Sequence, residues 1–464
     1  MIVCSPTPTV VIAVYTVAEA LYYTALSQQA AWPWRRTVLL SFSEIAEPLV
    51  RRAGMQVLSV FKAQRALPAD LDPEGELARL GSPAEALSLR HEMVNNGLSY
   101  LAARRKFVRR LLAIERLLGP WRDATVIQEL GGFASNLALL AWCRLQRQPH
   151  LSIEPGMFPG RLLFSRDSFF VDLHGVQPLA EDVAAGDLAR RAFCDRPAFL
   201  VPLKDRAHFR RMGLRRLFSG RQVYRTARKV YRLAVLRREE EFAMVRMLVR
   251  EQIARYFRHR RIKGTYRLPA VGARYVYYPL HVPWDVQLTF RCPACLDQAR
   301  LLRRLVAALP EDVVVVTKEH PAAVGSFSTE PLADLRAAGR VLFAPPETNS
   351  LVLARGALAV ITVNSKAGFE AMMAGLPVIT LGPSFYRGHG LTTDVDDPEA
   401  AARCVLTGAR APQEEAVRAF VGRCWAATVP GELYSEEAEH LRLSAFGYAQ
   451  AARAAHTAGV NGRP

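Results

Sequence analysis

The stretch AVITVNSKAGFEAMMAGLPVITLG, residues 359–382, decides the fold. An apolar run, Ala359 to Val363, ends at Asn364-Ser365, and a helical pattern follows through Met373. Gly375-Leu376-Pro377 then turns the chain into a second apolar run, Val378 to Leu381, ending at Gly382-Pro383. Two continuous apolar strands joined by a helix form a parallel unit whose sheet is covered on both faces. The same rhythm extends backwards. Tyr275 to Tyr278 reads as a strand, Cys295 to Leu309 as a helix, Val313 to Thr317 as a strand ending at Lys318-Glu319-His320-Pro321, and Val341 to Phe343 as a short strand. Functional residues of such sheets gather at the carboxyl ends of the strands, which here carry Lys318, His320, Asn364, Ser365 and Gly382.

Upstream, the pattern predicts a strand near the N-terminus, then a helix from about Val17. Further strands are expected at Val38–Ser43, Ala124–Gln128 and Leu151–Glu154, with helices over Leu89–Leu118 and Ser135–Trp142. Three helices, around 398–407, 412–427 and 435–455, finish the chain. With 464 residues, half of them hydrophobic, two substantial domains are expected. The expected division is an α/β acceptor-side domain over 1–200, a basic helical connector over 201–265, an α/β nucleotide-sugar-binding domain over 266–430, and a helical segment over 431–464 that packs back on the first domain.

Sixty-one Lys plus Arg against 43 Asp plus Glu give a net charge of +18. Residues 201–263 hold 20 of those cations and 5 of the acids, an excess of +15, so one segment supplies most of the imbalance. Within it, Val223, Ala227, Val230, Tyr231 and Val235 recur at helical spacing, with Arg225, Arg228, Lys229 and Arg232 between them. Solvated helix faces and an anionic inner-membrane surface fit this pattern equally well. Nucleic acid fits less well, because no zinc finger, RNP motif or zipper accompanies the charge. A smaller basic cluster, Arg104-Arg105-Lys106 with Arg109-Arg110, lies in an earlier helix.

The N-terminus lacks a basic leader region, and Pro6 and Pro8 interrupt its apolar run; a cytoplasmic protein is the expectation, with peripheral membrane contact left open. Seven cysteines do not make a secreted disulfide framework, and Cys292-Pro-Ala-Cys295 lacks a second pair at zinc spacing, so no metal is expected. No G-x-G-x-x-G follows the first strand, and no G-x-x-x-x-G-K-[ST], H-E-x-x-H or G-x-S-x-G occurs. NAD chemistry, P-loop hydrolysis and the common hydrolase sites therefore lack their usual devices.

The helix beginning near Ser365 offers free backbone N–H groups to a phosphate, with Ser365 either an ordinary cap or a cap that also faces the anion. Four stretches, YVYYPLHVPWDVQ (275–287), TKEHP (317–321), TVNSKAGFEAMMAGLPVITLG (362–382) and FYRGHGLT (385–392), in this order resemble the capsule polysaccharide biosynthesis family, including the KpsC and KpsS type of 3-deoxy-manno-octulosonic acid (Kdo) transferases. They span about a quarter of the chain. A fainter likeness joins IEPGMFPG (153–160) with VDLHGV (171–176), although Leu173-His174-Gly175-Val176-Gln177 only partly keeps the family's GVN segment.

The resemblance implies a GT-B-like glycosyltransferase of two Rossmann-like domains. Its donor would be CMP-Kdo or another CMP-activated acidic sugar, a substrate and not a cofactor. Its acceptor would be an acidic glycan or lipid-linked saccharide. By that likeness His320, Asn364 and Ser365 fall on donor-side motifs, with Gln287 and Glu370 shaping the cleft on that side; Lys318, at its strand end, and Arg387, on a loop beside Gly388 and Gly390, are further donor-side candidates. Glu154 is the foremost candidate to activate the acceptor or attack the anomeric carbon, with Asp172 and Asp285 behind it. His281 serves either as acid, base or donor ligand or as a structural hydrogen-bonding group. A noncatalytic capsule assembly or export protein, or a GT-B-like sugar-nucleotide epimerase, are the alternatives.

Overall fold

A computed structural model describes residues 9–81, 88–195, 220–241 and 245–461. The first sheet holds β1 (Thr9–Val14), β2 (Arg36–Ser41), β3 (Gln56–Ser59), β4 (Thr125–Glu129), β5 (His150–Pro155), β6 (Arg161–Arg166) and β13 (Thr428–Pro430). The second holds β7 (Tyr275–Pro279), β8 (Val314–Lys318), β9 (Val341–Phe343), β10 (Val360–Thr362), β11 (Val378–Thr380) and β12 (Thr393–Asp394). The second sheet runs β12-β11-β10-β7-β8-β9 and is parallel throughout. Counted from its own first strand, this is the doubly wound order, with the reversal between β7 and β10. The first sheet runs β13-β6-β5-β4-β1-β2-β3. It is parallel from β5 to β3, but β6 and β13 add an antiparallel edge. Two Rossmann-like sheets across a cleft make the GT-B-like architecture expected from the sequence.

Side-chain alternation assigns the faces. Val11, Ala13, Val38 and Leu40 pack beneath the helices Tyr100–Leu118 and Ala134–Leu145, whereas Val10, Ile12, Val14 and Leu39 face the opposite core. Tyr448 and Ala445 of the last helix, Ala438–Asn461, join that opposite core, and Tyr448 Oη donates to Tyr23 Oη at 3.0 Å. The helix Ala438–Asn461 therefore packs against the first sheet. The helix Ala180–Cys194 lies within the expected first domain by number, yet it packs on Glu414–Ala426. Arg190 there pairs with Asp187 and Glu414 and donates to the Met373 carbonyl at 3.0 Å.

The continuous helix expected over Leu89–Leu118 is two, Arg90–Asn96 and Tyr100–Leu118. Gly97 adopts φ 63°, a left-handed value that glycine reaches without strain, and Ser99 caps the second helix by accepting from Ala102 N–H.

Of the basic connector, residues 201–219 and 242–244 lie outside the described residues; the helices Gly220–Ala234 and Val245–Ile262 are described. The turn between them carries three acids, and these dock it. Glu240 bridges Ser43, while Glu241 is buried against Lys106 (2.6 Å), Arg110 (3.3 Å) and Ser135 Oγ (2.6 Å). Burial would raise the Glu241 carboxyl, but the charges of Lys106 and Arg110 hold it down to about 2. Part of the early basic cluster thus faces inward, neutralised by the connector.

Candidate functional site in the interdomain cleft

At the reversal of the second sheet, β7 runs into His281 and β10 into Asn364. The His281 ring is buried, and its Nε2 accepts from Asn364 N–H at 3.3 Å, which puts the proton of the neutral imidazole on Nδ1. Burial lowers its pKa to about 4. Gln298 brackets the same residue, accepting from His281 N–H at 2.8 Å and donating to its carbonyl at 3.1 Å. His281 thus sits beneath the Asn364 turn and is not among the residues that line the cleft.

Ser365 caps the helix Lys366–Met373. Its Oγ accepts from Gly368 N–H at 3.3 Å and from the Thr362 hydroxyl at 2.8 Å, leaving its own proton to donate elsewhere. Tyr386 Oη donates to the Ser365 carbonyl at 2.8 Å. Gly368 has no room for a side chain, because a Cβ would lie 2.6 Å from both Thr362 Cγ2 and Tyr386 Oη. Asn364 donates through Nδ2 to the Gln287 carbonyl at 3.0 Å, and its Oδ1 is buried without a partner among the described residues.

These residues face a cleft of about 170 Å³ between the domains. Glu154, Gly156, Met157 and Phe170 line one side; Gln287, Arg291, Asn364, Ser365, Lys366 and Phe385 line the other. Arg291 crosses it. Its Nη2 meets Glu154 Oε1 at 2.7 Å, Nε and Nη2 donate to the Phe169 carbonyl at 2.9 and 2.7 Å, and Nη1 reaches Gln287 Oε1 at 3.3 Å. Lys366 Nζ makes a longer contact, 3.5 Å, with the Gly156 carbonyl.

Of the expected site residues, Glu154, Gln287, Asn364 and Ser365 come together here. The others do not line the cleft. Lys318 is buried and donates to the Thr348 carbonyl at 2.9 Å; burial brings its pKa down to about 8. Burial raises Glu370 to about 7 against the pull of Lys366 and Lys318, and lowers His320 to about 4, assisted by Lys318. Arg387 pairs with Asp396 at 2.8 Å and donates to the Val395 carbonyl at 3.2 Å. Exposed Asp172 accepts from His174 N–H, and the His174 ring stacks on His389 at 4.2 Å between centroids. Asp285 caps the short helix Val286–Thr289. Among the described residues, no three His, Cys, Asp or Glu gather as a metal site. None of the described helices is long and apolar enough to cross a membrane.

Arg291 and Lys366 are the charged cleft residues that sequence reasoning passed over. Lys366 stood inside the motif, next to Ser365, while Arg291 stood beside the cysteine pair and carried no local signal.

The motif-bearing half of this cleft has a family match. Residues 224–429 match the family described as capsule polysaccharide biosynthesis protein. The resemblance read from the four motifs, which lie within 275–392, is thus borne out. Protein FixF of Sinorhizobium fredii is 32% identical over 158 residues, covering 32% of this chain and 37% of that protein. The match therefore spans little more than a third of the curated relative. Similar solved structures include the KpsC β-Kdo 2,4-transferase of Thermosulfurimonas dismutans (16% identity, 67% of this chain and 85% of that one, TM-score 0.33). The β-Kdo 2,7-transferase of the same KpsC has 15% identity, 76% and 97% coverage, and TM-score 0.34. UDP-N-acetylglucosamine 2-epimerase from Rickettsia bellii has 11% identity, 98% and 96% coverage, and TM-score 0.31.

Proposed function

We propose that this chain is a glycosyltransferase of capsular or other surface polysaccharide synthesis, taking Kdo or a related acidic sugar from a CMP-activated donor. The observation that carries the reading is the opposition, across one cleft, of the Glu154 carboxylate to the capped N-terminus of Lys366–Met373 in the capsule-family region. A helix N-terminus favours a phosphate, and the free Ser365 proton and the cation of Lys366 act in the same direction.

In the proposed step, an acceptor hydroxyl oxygen bonds to the anomeric carbon as the bond from that carbon to the phosphate oxygen breaks. The nucleotide leaves with the electron pair, and its charge is met by the Asn364–Ser365 end of the cleft. The acceptor proton passes to Glu154, whose position is set by Arg291. The acceptor is an acidic glycan or a lipid-linked saccharide; the basic surface favours either.

Calorimetric titration with CMP, UDP, GDP and ADP tests this. Binding of CMP above the others, weakened in Ser365→Ala, supports it. Preference for UDP or GDP overturns the CMP donor, and failure of well-folded protein to bind any of the four overturns the transferase reading.

A further inference from the structure

We propose that the Gly220–Ala234 helix docks the protein on an anionic lipid surface, with Val223, Tyr224, Val230 and Tyr231 entering the headgroup layer. At 100° per residue these four side chains share one arc with Ala227 and Ala234, and Arg228, Lys229 and Arg232 fall in the neighbouring arc. A helix of a globular protein turns its apolar arc to the core. This one is turned outwards: Val223 is 51% exposed, Tyr224 64%, Val230 45% and Tyr231 53%, while Lys229, Arg232 and Leu233 are partly covered. The patch continues through exposed Val235 and Leu236. Arg237, at φ 48°, then ends the helical path, and exposed Arg237 and Arg238 add charge at that end.

Charge decides the occupant. Residues 196–219 are themselves strongly basic, with Asp205 their sole acid, so their sequence offers no complement to this helix. A second copy would bring Arg228 and Arg232 against their like. Nucleic acid would meet the cations and leave the Val and Tyr arc in water. An anionic bilayer meets both at once, since its headgroups pair with Lys and Arg while tyrosines and valines sit at the acyl boundary.

The test is sedimentation of the full chain with phosphatidylcholine vesicles, with and without phosphatidylglycerol. Retention is expected only with phosphatidylglycerol, and it should fall as salt rises. The double variant Tyr224→Asp with Tyr231→Asp should lower the bound fraction about tenfold, as should Arg228→Glu with Arg232→Glu, both with unchanged melting temperatures. In the unaltered protein, amide exchange over 220–236 should slow when the anionic vesicles are added. The proposal is overturned by absence of phosphatidylglycerol-dependent retention, by retention that both variants leave intact, or by unchanged exchange in this helix. A concentration-dependent dimer that the tyrosine variant abolishes, without vesicle binding, reassigns the face to a second copy.

Discussion

On the second-domain rim of the cleft, Asn364 and Ser365 are held by neutral hydrogen bonds with Thr362, Tyr386 and His281, all of their own domain. On the first-domain rim, Glu154 is held by the charge of Arg291, which belongs to the opposite domain. The first arrangement survives any change in the angle between domains. The second does not, because an ion pair that spans the cleft is stretched as the cleft opens. The Asn364–Ser365 rim is therefore organised in advance, whereas the setting of the Glu154 carboxylate reports closure.

The largest effect expected of that difference is on turnover. Glu154→Gln keeps the shape and the hydrogen bond but removes the proposed base, and should cut donor consumption about 10²–10⁴-fold while nucleotide affinity stays within about threefold. A variant that loses both equally would make Glu154 a binding group instead. Next comes pH. His281 and His320 have folded values near 4, below the ordinary 6.5, so the stability they contribute is full above 6.5 and lost as pH falls towards 4. The loss amounts to about 3 kcal/mol for each at the lower end. Glu370, raised to about 7, acts oppositely: its contribution is full below the ordinary 4.5 and lost as pH rises through 7. Urea midpoints between pH 6.5 and 5 should therefore fall, less steeply in His281→Asn and more steeply in Glu370→Gln. Midpoints with the same slope in all three proteins would contradict the assignment.

Arg291→Ala should cost about 2 kcal/mol in chemical unfolding. That is below the figure for a fully buried pair, because Glu154 keeps some access to solvent. The companion Arg291→Lys should recover only part of it, one ammonium being unable to reach Glu154, Phe169 and Gln287 together. Equal stability of all three proteins would remove the contrast between the rims. The smallest effect is at Ser365→Ala, about 1 kcal/mol for the lost cap, with Ser365→Thr near the parent protein. A larger loss of CMP affinity than of stability in Ser365→Ala would show that the hydroxyl proton is used on the ligand.

Much of the second domain was legible because buried parallel strands write continuous apolar runs, as at Val313–Thr317 and Ala359–Val363. The antiparallel edge of the first sheet was not. β6 reads RLLFSR, with charge at both ends and no strict alternation, and β13 has only three residues beside a long helix. The site was legible where function and local structure share residues, as in the Ser365 cap. It was obscure where geometry depends on distant segments. Nothing local in Lys318 tells that carbonyls of the 346–348 loop hold its ammonium, nor in Arg387 that Asp396 pairs with it. The pairing of Arg291 with Glu154 joins residues 137 apart in the chain.

The order of synthesis gives β13 a further meaning. β6 leaves the ribosome some 260 residues before Thr428 can pair with Leu163, and through that interval its outer N–H and C=O groups are an open edge. The core around Tyr23 and Trp34 is equally bare until Tyr448 arrives. The earlier-translated of these two domains is thus completed after the later one. Throughout that interval a nascent chain of this protein needs protection, and a product released within it would present a strand edge ready to pair with its neighbours.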